Sequence, residues 1–219
     1  MQGTRATNAM EVEGAAIETT IRKPNFAPLK AHEMSNGEVQ FQKISVPQHR
    51  YTPLKKAWLD IYTPIREQMK IDITMNLKSR KVVLKTTKHT PDVGNLQKCA
   101  DFVYAFLCGF DVADAILLIR ADEFYVRAFD IKDVKRLLKG EHLSRAIGRV
   151  VGKGGKTKFA IENATKTRIV IADKNIYILG SLTSIELAQN SLCSLILGSP
   201  TGKVYSKLRA VTARMAERS

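Results

Sequence analysis

The residues whose types and spacing could do chemistry lie between His142 and Phe159, where the chain reads HLSRAIGRVVGKGGKTKF. Gly152, Lys153, Gly154 and Gly155 form a glycine-x-x-glycine turn. Leu143, Ile147 and Val150 or Val151 fall at helical spacing before it, and Phe159, Ile161 and Ala164 after it. Lacking Cβ atoms, the glycines permit positive φ and let a phosphodiester backbone lie against the chain. The N–H groups that open the following helix favour its negative charge. This is the chemistry of a phosphate clamp. Lys153 and Lys156 lie in or beside the turn, with Arg145, Arg149, Lys158 and Arg168 as flanking candidate RNA contacts. Ile147, Val151 and, from the neighbouring strand that opens at Arg168, Ile169 are the apolar groups expected to read bases.

Charge points the same way. The chain has 219 residues, 35 Lys+Arg and 21 Asp+Glu, a formal net charge of +14. Residues 132–168 carry eleven Lys+Arg against three Asp+Glu, so that window holds +8 of the total. A hydrophobic content of 44% excludes a wholly disordered basic tail, and a folded basic protein points to a polyanion. No segment offers the roughly 18 uninterrupted apolar residues of a membrane span, so a soluble protein with no membrane partner is expected. The N-terminal MQGTRATNAM has no apolar core of a secretory signal, which leaves cytosol and nucleus open.

An enzyme reading fails on register. The run GKGGKT looks superficially like a Walker A loop, but counting five back from Gly155 reaches Val150 where the first glycine is required. The preceding segment is helical, and a hairpin follows in place of a βαβ unit. Asp60 and the pair Asp122 and Glu123 have no partnering His or nucleophile, so no catalytic constellation is present. Cys99, Cys108 and Cys193 sit in apolar runs with no Cys-x-x-Cys pair, and His32, His49, His89 and His142 are scattered. Reduced, packed thiols, no metal and no cofactor are therefore expected.

Two similar sets of elements must position the turn. Residues 1–38 mix Gly, Pro, Asn, Thr and charge with no apolar period and read as a flexible tail. Val39–Val46 reads as a strand, and Leu54, Trp58, Ile61 and Ile65 as a helix that Pro64 should break or kink. Strands over Ile71–Leu77 and Val82–Thr86 follow. A long helix striped by Val93, Leu96, Ala100, Val103, Phe106, Leu107 and Phe110 closes the set near Gly109. The order then recurs about 95 residues on. Phe124–Ile131 is a strand, the two helices around the glycine turn come next, then a hairpin of Arg168–Ala172 and Asn175–Gly180 around Asp173 and Lys174. A helix striped by Ile185, Ala188, Leu192, Leu195 and Ile196 ends it. Past the Ser199–Gly202 break, Val204, Leu208, Val211 and Met215 stripe a basic helix whose Lys207, Arg209 and Arg214 are candidate phosphate contacts.

Strand, helix, helix, strand, strand, helix with a G-x-x-G turn is the order of a type I KH domain, which clamps about four nucleotides of single-stranded RNA or DNA. The fold expected is α/β (α+β): a flexible tail over 1–38, a degenerate KH domain over 39–120, a KH domain with an intact loop over 121–200 and a basic helix over 201–219. The first repeat has no glycine between Gly37 and Gly94, so it cannot clamp RNA in the same way and is expected to brace and dock. Its Tyr51, Trp58 and Tyr62 read as core aromatics, with stacking platforms the other possibility.

The run GRVVGKGGKTKFAIENATKTRIVIADKNIYILGS, with FDIKDVKRLLKGEHLSRAI before it and KVYSKLRAVTARMAERS after it, resembles the Partner-of-NOB family of eukaryotic small-subunit ribosome assembly factors. The segments HRYTPLKKAWLDIYTPI, LKSRKVVLKTT and ADFVYAFLCGFDVADAILLIR are similar to that family's first, degenerate KH domain, so the resemblance covers roughly residues 40–219. It implies a non-catalytic RNA-binding protein of ribosome biogenesis and rRNA processing, found in the nucleus (nucleolus) and cytoplasm. The implied partners are pre-18S ribosomal RNA near its 3′ end, the NOB endonuclease that cuts that end, other pre-40S assembly factors and ribosomal proteins. Against KH domains at large, Lys158 replaces a usual aliphatic residue and Lys166 a usual glycine. Two other readings remain: a KH protein on messenger RNA or another pre-ribosomal site, and a KH scaffold that binds only protein.

Overall fold

The computed structural model describes residues 39–217 apart from Val93 and Leu137. The expected tail over 1–38 and the placing of Val93 in a helical stripe lie outside the described residues. Among those residues the chain forms two three-stranded antiparallel sheets, each served by its own helices.

The first unit holds β1 (Phe41–Ser45), α1 (Tyr51–Lys56), α2 (Trp58–Glu67), β2 (Ile71–Asn76), β3 (Lys81–Thr86) and α3 (Gly94–Cys108). Its strand order is β1-β3-β2, with Lys43 opposite Val83 and Thr74 opposite Val83 on the other side. Period-two alternation turns Ile71, Ile73, Val82 and Leu84 inward, where they are buried with Leu54, Ile61 and Ile65. The expected break at Pro64 is not found: α2 runs on to Glu67, and the helices part at Ala57. Proline removes one hydrogen bond, and the burial of Ile61, Pro64 and Ile65 on one face of α2 outweighs that loss. Tyr51, Trp58 and Tyr62 pack, partly buried, against this core.

Two short helices, α4 (Val112–Ala115) and α5 (Leu117–Arg120), lead to the second unit. It comprises β4 (Phe124–Asp130), α6 (Ile131–Val134), α7 (Glu141–Val151), a 3-10 turn (Lys153–Gly155), α8 (Lys156–Thr165), β5 (Arg168–Ala172), β6 (Asn175–Ser181), α9 (Leu182–Leu197) and α10 (Thr201–Ala216). Strand order is β4-β6-β5. The expected offset of about 95 varies along the chain: it is 83 from Phe41 to Phe124 and 97 from Ile71 to Arg168. The extra residues of the second unit are those of α6 and the approach to the glycine turn.

α3 is buried on most of its circumference, from Leu96 through Cys99, Phe102, Val103 and Phe106 to Leu107. A helix apolar all round is one packed on both sides. One side meets the inner face of the first sheet. The other meets the outer face of the second, where Leu179 is buried and Phe124, Val126, Val170 and Tyr177 are partly buried in the same cluster. Gly109, at φ +119, closes α3 so near this face that a Cβ would come 3.0 Å from Val170 Cγ1. Arg168 Nε donates to Asp114 Oδ1 at 3.0 Å across the seam. The layers are therefore sheet, helix, sheet, helices. The second core lies beneath β5 and β6 and holds Ile169, Ile176 and Ile178 with Ile161, Ile185, Leu192 and Leu195, and α10 adds Val204 and Leu208 to it.

Candidate nucleic-acid interface

The turn between α7 and α8 is built on glycine geometry. Gly152 has φ 74 and ψ 174, a conformation essentially confined to glycine, while Gly154 (φ 61, ψ 29) and Gly155 (φ 77, ψ 2) are left-handed. Gly152 is also packed close. A Cβ there would lie 2.2 Å from Thr157 Oγ1 and 2.9 Å from the Thr157 backbone nitrogen. Gly154 has no atom within 4 Å of such a Cβ. The turn thus presses against the first turn of α8 at Gly152 and stands open at Gly154. No side chain caps α8; the Lys156 N–H bonds the Lys153 carbonyl inside the turn, and the amides after it, which have no partner within the helix, stand at the positive end of the helix dipole.

Around this turn the expected cations divide. Lys153 and Lys156 are exposed and make no ion pair with any described residue. Arg149 is exposed, with Nη2 3.3 Å from the Ile196 carbonyl at the end of α9. Arg145 pairs with Glu141 at 3.1 Å on the exposed face of α7, a contact weak enough to exchange for phosphate. Lys158 is turned inward: its Nζ lies 3.8 Å from Glu162 Oε1, and Glu162 is buried and accepts the Ile169 N–H at 2.7 Å. Its expected RNA contact gives way to neutralising a carboxylate that ties α8 to β5. Arg168 is likewise committed to Asp114 at the seam.

The expected base-reading residues also divide. Ile147 and Val151 are half-buried on α7, with surface left beside the turn. Ile169 is 1% exposed and belongs to the core, so it has no surface to offer a base. Ile171, two residues along the same face, is only partly buried and leaves surface on the edge strand. Phe159, which the helical spacing puts among the apolar positions, is 62% exposed on α8, one turn from Lys156. Sequence reasoning passes over it because spacing alone does not separate Phe159 from Ile161. An aromatic inside the cationic window is the signal that could have found it.

On α10, Lys207, Arg209 and Arg214 are exposed. Arg209 lines a groove of about 810 Å³ with Ala164, Thr165 and Lys166 at the far end of α8. With about 1.5 Å rise per residue, that is roughly a helix length of 14 Å from Lys156, so Arg209 is not gathered at the turn. Lys166, where KH domains usually carry glycine, ends α8 at φ 53 and ψ 40. The left-handed geometry that favours glycine is kept by a lysine there.

The first unit has no counterpart to the turn. Ala57 alone separates α1 from α2, at φ −91 and ψ 11. Its N–H is bonded to the Pro53 carbonyl at 3.0 Å, and its own carbonyl accepts from Ile61 at 3.1 Å. Both backbone groups of the junction residue are thus taken up within the helical run, and the junction carries no glycine turn. Among the described residues, the three cysteines are free thiols. Burial pushes Cys99 up to about 12 and raises Cys108 and Cys193.

A family model described as the eukaryotic type KH-domain, type I, matches residues 128–213, a stretch that includes the turn and most of α10. The RNA-binding protein PNO1 of Oryzias latipes is 54% identical over 202 residues, covering 92% of this chain and 82% of its own. The pre-rRNA-processing protein PNO1 of Candida albicans is 58% identical over 198 residues, covering 90% and 70%. The chain belongs to the PNO1 family. This is the Partner-of-NOB family that the sequence resembles, and its fold is the expected pair of KH domains. Among solved structures, a chain of the a/eIF2alpha-aDim2p-rRNA complex of Pyrococcus horikoshii superposes with a TM-score of 0.71 at 27% identity, over 83% of this chain and 99% of its own. Dim2p of the same organism gives 0.67 at 28% identity, over 78% and 99%. The two-unit layering of the PNO1 family is thus matched along nearly the whole length of both archaeal chains.

Proposed function

We propose that this chain is a non-catalytic RNA-binding factor of small-subunit ribosome assembly. A single strand of pre-18S ribosomal RNA lies across the turn between α7 and α8. The observation that carries the reading is the turn itself: Gly152, Gly154 and Gly155 at positive φ, two unpaired lysines, and an uncapped helix start. Phosphates rest on Lys153, Lys156 and the first amides of α8, with Arg145 and Arg149 to one side. Bases meet Ile147, Val151 and Ile171, and Phe159 offers an exposed ring for stacking. Relatives named as RNA-binding and pre-rRNA-processing proteins, and a structural neighbour from a complex with rRNA, support it.

The finer reading rests on the family resemblance. The RNA is the segment near the 3′ end of the 18S precursor, and the protein positions or regulates the NOB endonuclease there, among other pre-40S factors, in the nucleus (nucleolus) and cytoplasm. Ultraviolet crosslinking of the protein in cells, followed by sequencing of the attached RNA, tests both levels. Reads concentrated near the 3′ end of pre-18S RNA are expected. Reads spread over messenger RNA would overturn the finer reading, and the absence of crosslinked RNA would overturn the coarser one.

A further inference from the structure

The two sheets turn corresponding faces to different fates. On the second, Val126 opposite Leu179, with Tyr177 beside them, forms an apolar surface packed into the cluster that holds α3. On the first, the same register puts Lys43 opposite Val83, Phe41 opposite Lys85 and Ser45 opposite Lys81. No described element covers this face. It holds an open groove of about 720 Å³ that Phe41, Lys43, Val83 and Lys85 line with Lys78 and Leu77 of the β2–β3 turn. Lys43, Lys78, Lys81 and Lys85 make no ion pair with any described residue. Among the described residues the one carboxylate on the face is Asp72, which stands opposite Lys85 and is ion-paired with Arg66. The surface is thus a set of uncompensated cations around an aromatic ring that is 60% exposed.

We propose that the outer face of the β1-β3-β2 sheet is a second, sequence-tolerant site for single-stranded nucleic acid, separate from the glycine turn. Lysines at both ends of Phe41 supply phosphate contacts, and the ring supplies a platform for one base, the combination by which single strands are held without base readout. Charge complementarity selects this occupant: an apolar partner would leave three strand lysines desolvated and unpaired, at a cost that phosphates remove. Lys43 Nζ sits 4.9 Å from the centre of the Phe41 ring. An exposed cation–π contact of this kind is weaker than base stacking, so a base displaces it and frees the ammonium for the adjoining phosphate.

The test uses the full chain and a 20-nucleotide oligouridine carrying 5-iodouridine, crosslinked by ultraviolet light and mapped by mass spectrometry. Crosslinks at Phe41 or its β1 neighbours are expected in the wild type and should persist in the double variant Lys153→Asp, Gly154→Asp. They do not depend on whether the glycine turn binds RNA. The pair Lys43→Glu and Lys85→Glu should remove them, weaken binding by roughly tenfold and lower the slope of log affinity against log salt by about 1.4, at about 0.7 per phosphate contact on a single strand. Phe41→Ala should weaken binding about tenfold and leave the slope unchanged, which is the signature of lost stacking. No crosslink to β1 or β3 in the wild type would overturn the proposal. Unchanged affinity in the Lys43→Glu, Lys85→Glu protein would overturn it in favour of an acidic protein partner. Crosslinks that arise only after residues 1–38 are removed would assign the face to that segment and also overturn it.

Discussion

Replacing Gly152 by alanine should be far more costly than replacing Gly154, although the two glycines are two residues apart in one exposed turn. At φ 74 and ψ 174, Gly152 occupies a region whose cost for any other residue is about 1–3 kcal/mol. The new methyl would also meet Thr157 Oγ1 at 2.2 Å and the Thr157 nitrogen at 2.9 Å. The hydroxyl can rotate, but Thr157 is only 6% exposed, and the nitrogen is backbone at the start of α8 and cannot yield alone. Against this, alanine restricts the unfolded chain and returns about 0.4–1 kcal/mol. A net loss of about 2–3 kcal/mol follows, or roughly 5–10 °C in Tm for a protein of this size. Gly154, at φ 61 and ψ 29 with nothing within 4 Å, faces only the left-handed penalty of about 1–2 kcal/mol, largely offset by the same entropy gain. Urea denaturation of the two full-length variants reads the difference directly. Equal stability of the two proteins, or a Gly152→Ala protein that unfolds with the wild type, would refute the geometry on which the clamp rests.

Truncation after Pro200 should destabilise the second unit by about 3–6 kcal/mol, because Val204 and Leu208, 5% and 2% exposed, leave its core; chemical denaturation of the truncated chain checks it. Glu162→Ala should cost about 1.5–3 kcal/mol by stranding the buried Ile169 N–H, and Glu162→Gln, which keeps an acceptor, should cost clearly less in the same assay. Cys99, pushed up to about 12 from an ordinary 9.0, holds about a thousandfold less thiolate at pH 8 than a free cysteine, so iodoacetamide should leave it unmodified in the native protein and modify it on unfolding. Rapid native alkylation at Cys99 would contradict its burial.

Much of this fold is legible in the amino-acid sequence because its elements alternate or stripe strongly. Ile71–Leu77 and Val82–Thr86 can only be half-buried strands, and the absence of glycine between Gly37 and Gly94 foretells the closed Ala57 junction. The misses share a cause, since period assigns a face but not what lies above it. Ile169 and Ile171 are equivalent by alternation, yet only the packing of α8 makes the first fully buried and leaves the second with surface. Lys158 and Lys156 are equally cationic in the sequence. Only the position of Glu162 beneath β5 turns one inward. Nor can the stripe on α3 show that both its sides are covered, because the second cover includes strand residues more than 60 positions on. The break expected at Pro64 rests on local grounds, and there one lost hydrogen bond weighs less than a buried helix face.

The central claim, that the turn at Gly152–Gly155 holds RNA by its phosphates, is tested most directly by the double substitution Lys153→Asp and Gly154→Asp. Aspartate tolerates left-handed backbone better than most residues, and Gly154 has open space around it, so the fold should hold with a loss of about 1 kcal/mol. Two carboxylates in place of a cation and an open turn, set at the start of α8, should oppose phosphate there. Affinity for a single-stranded RNA from the 3′ end of pre-18S RNA, measured by fluorescence anisotropy at several salt concentrations beside a thermal melt, is the measurement. The account predicts a melt within a few degrees of wild type and affinity reduced at least tenfold with a shallower salt slope. A variant that melts as wild type and binds this RNA with unchanged affinity and slope would contradict it.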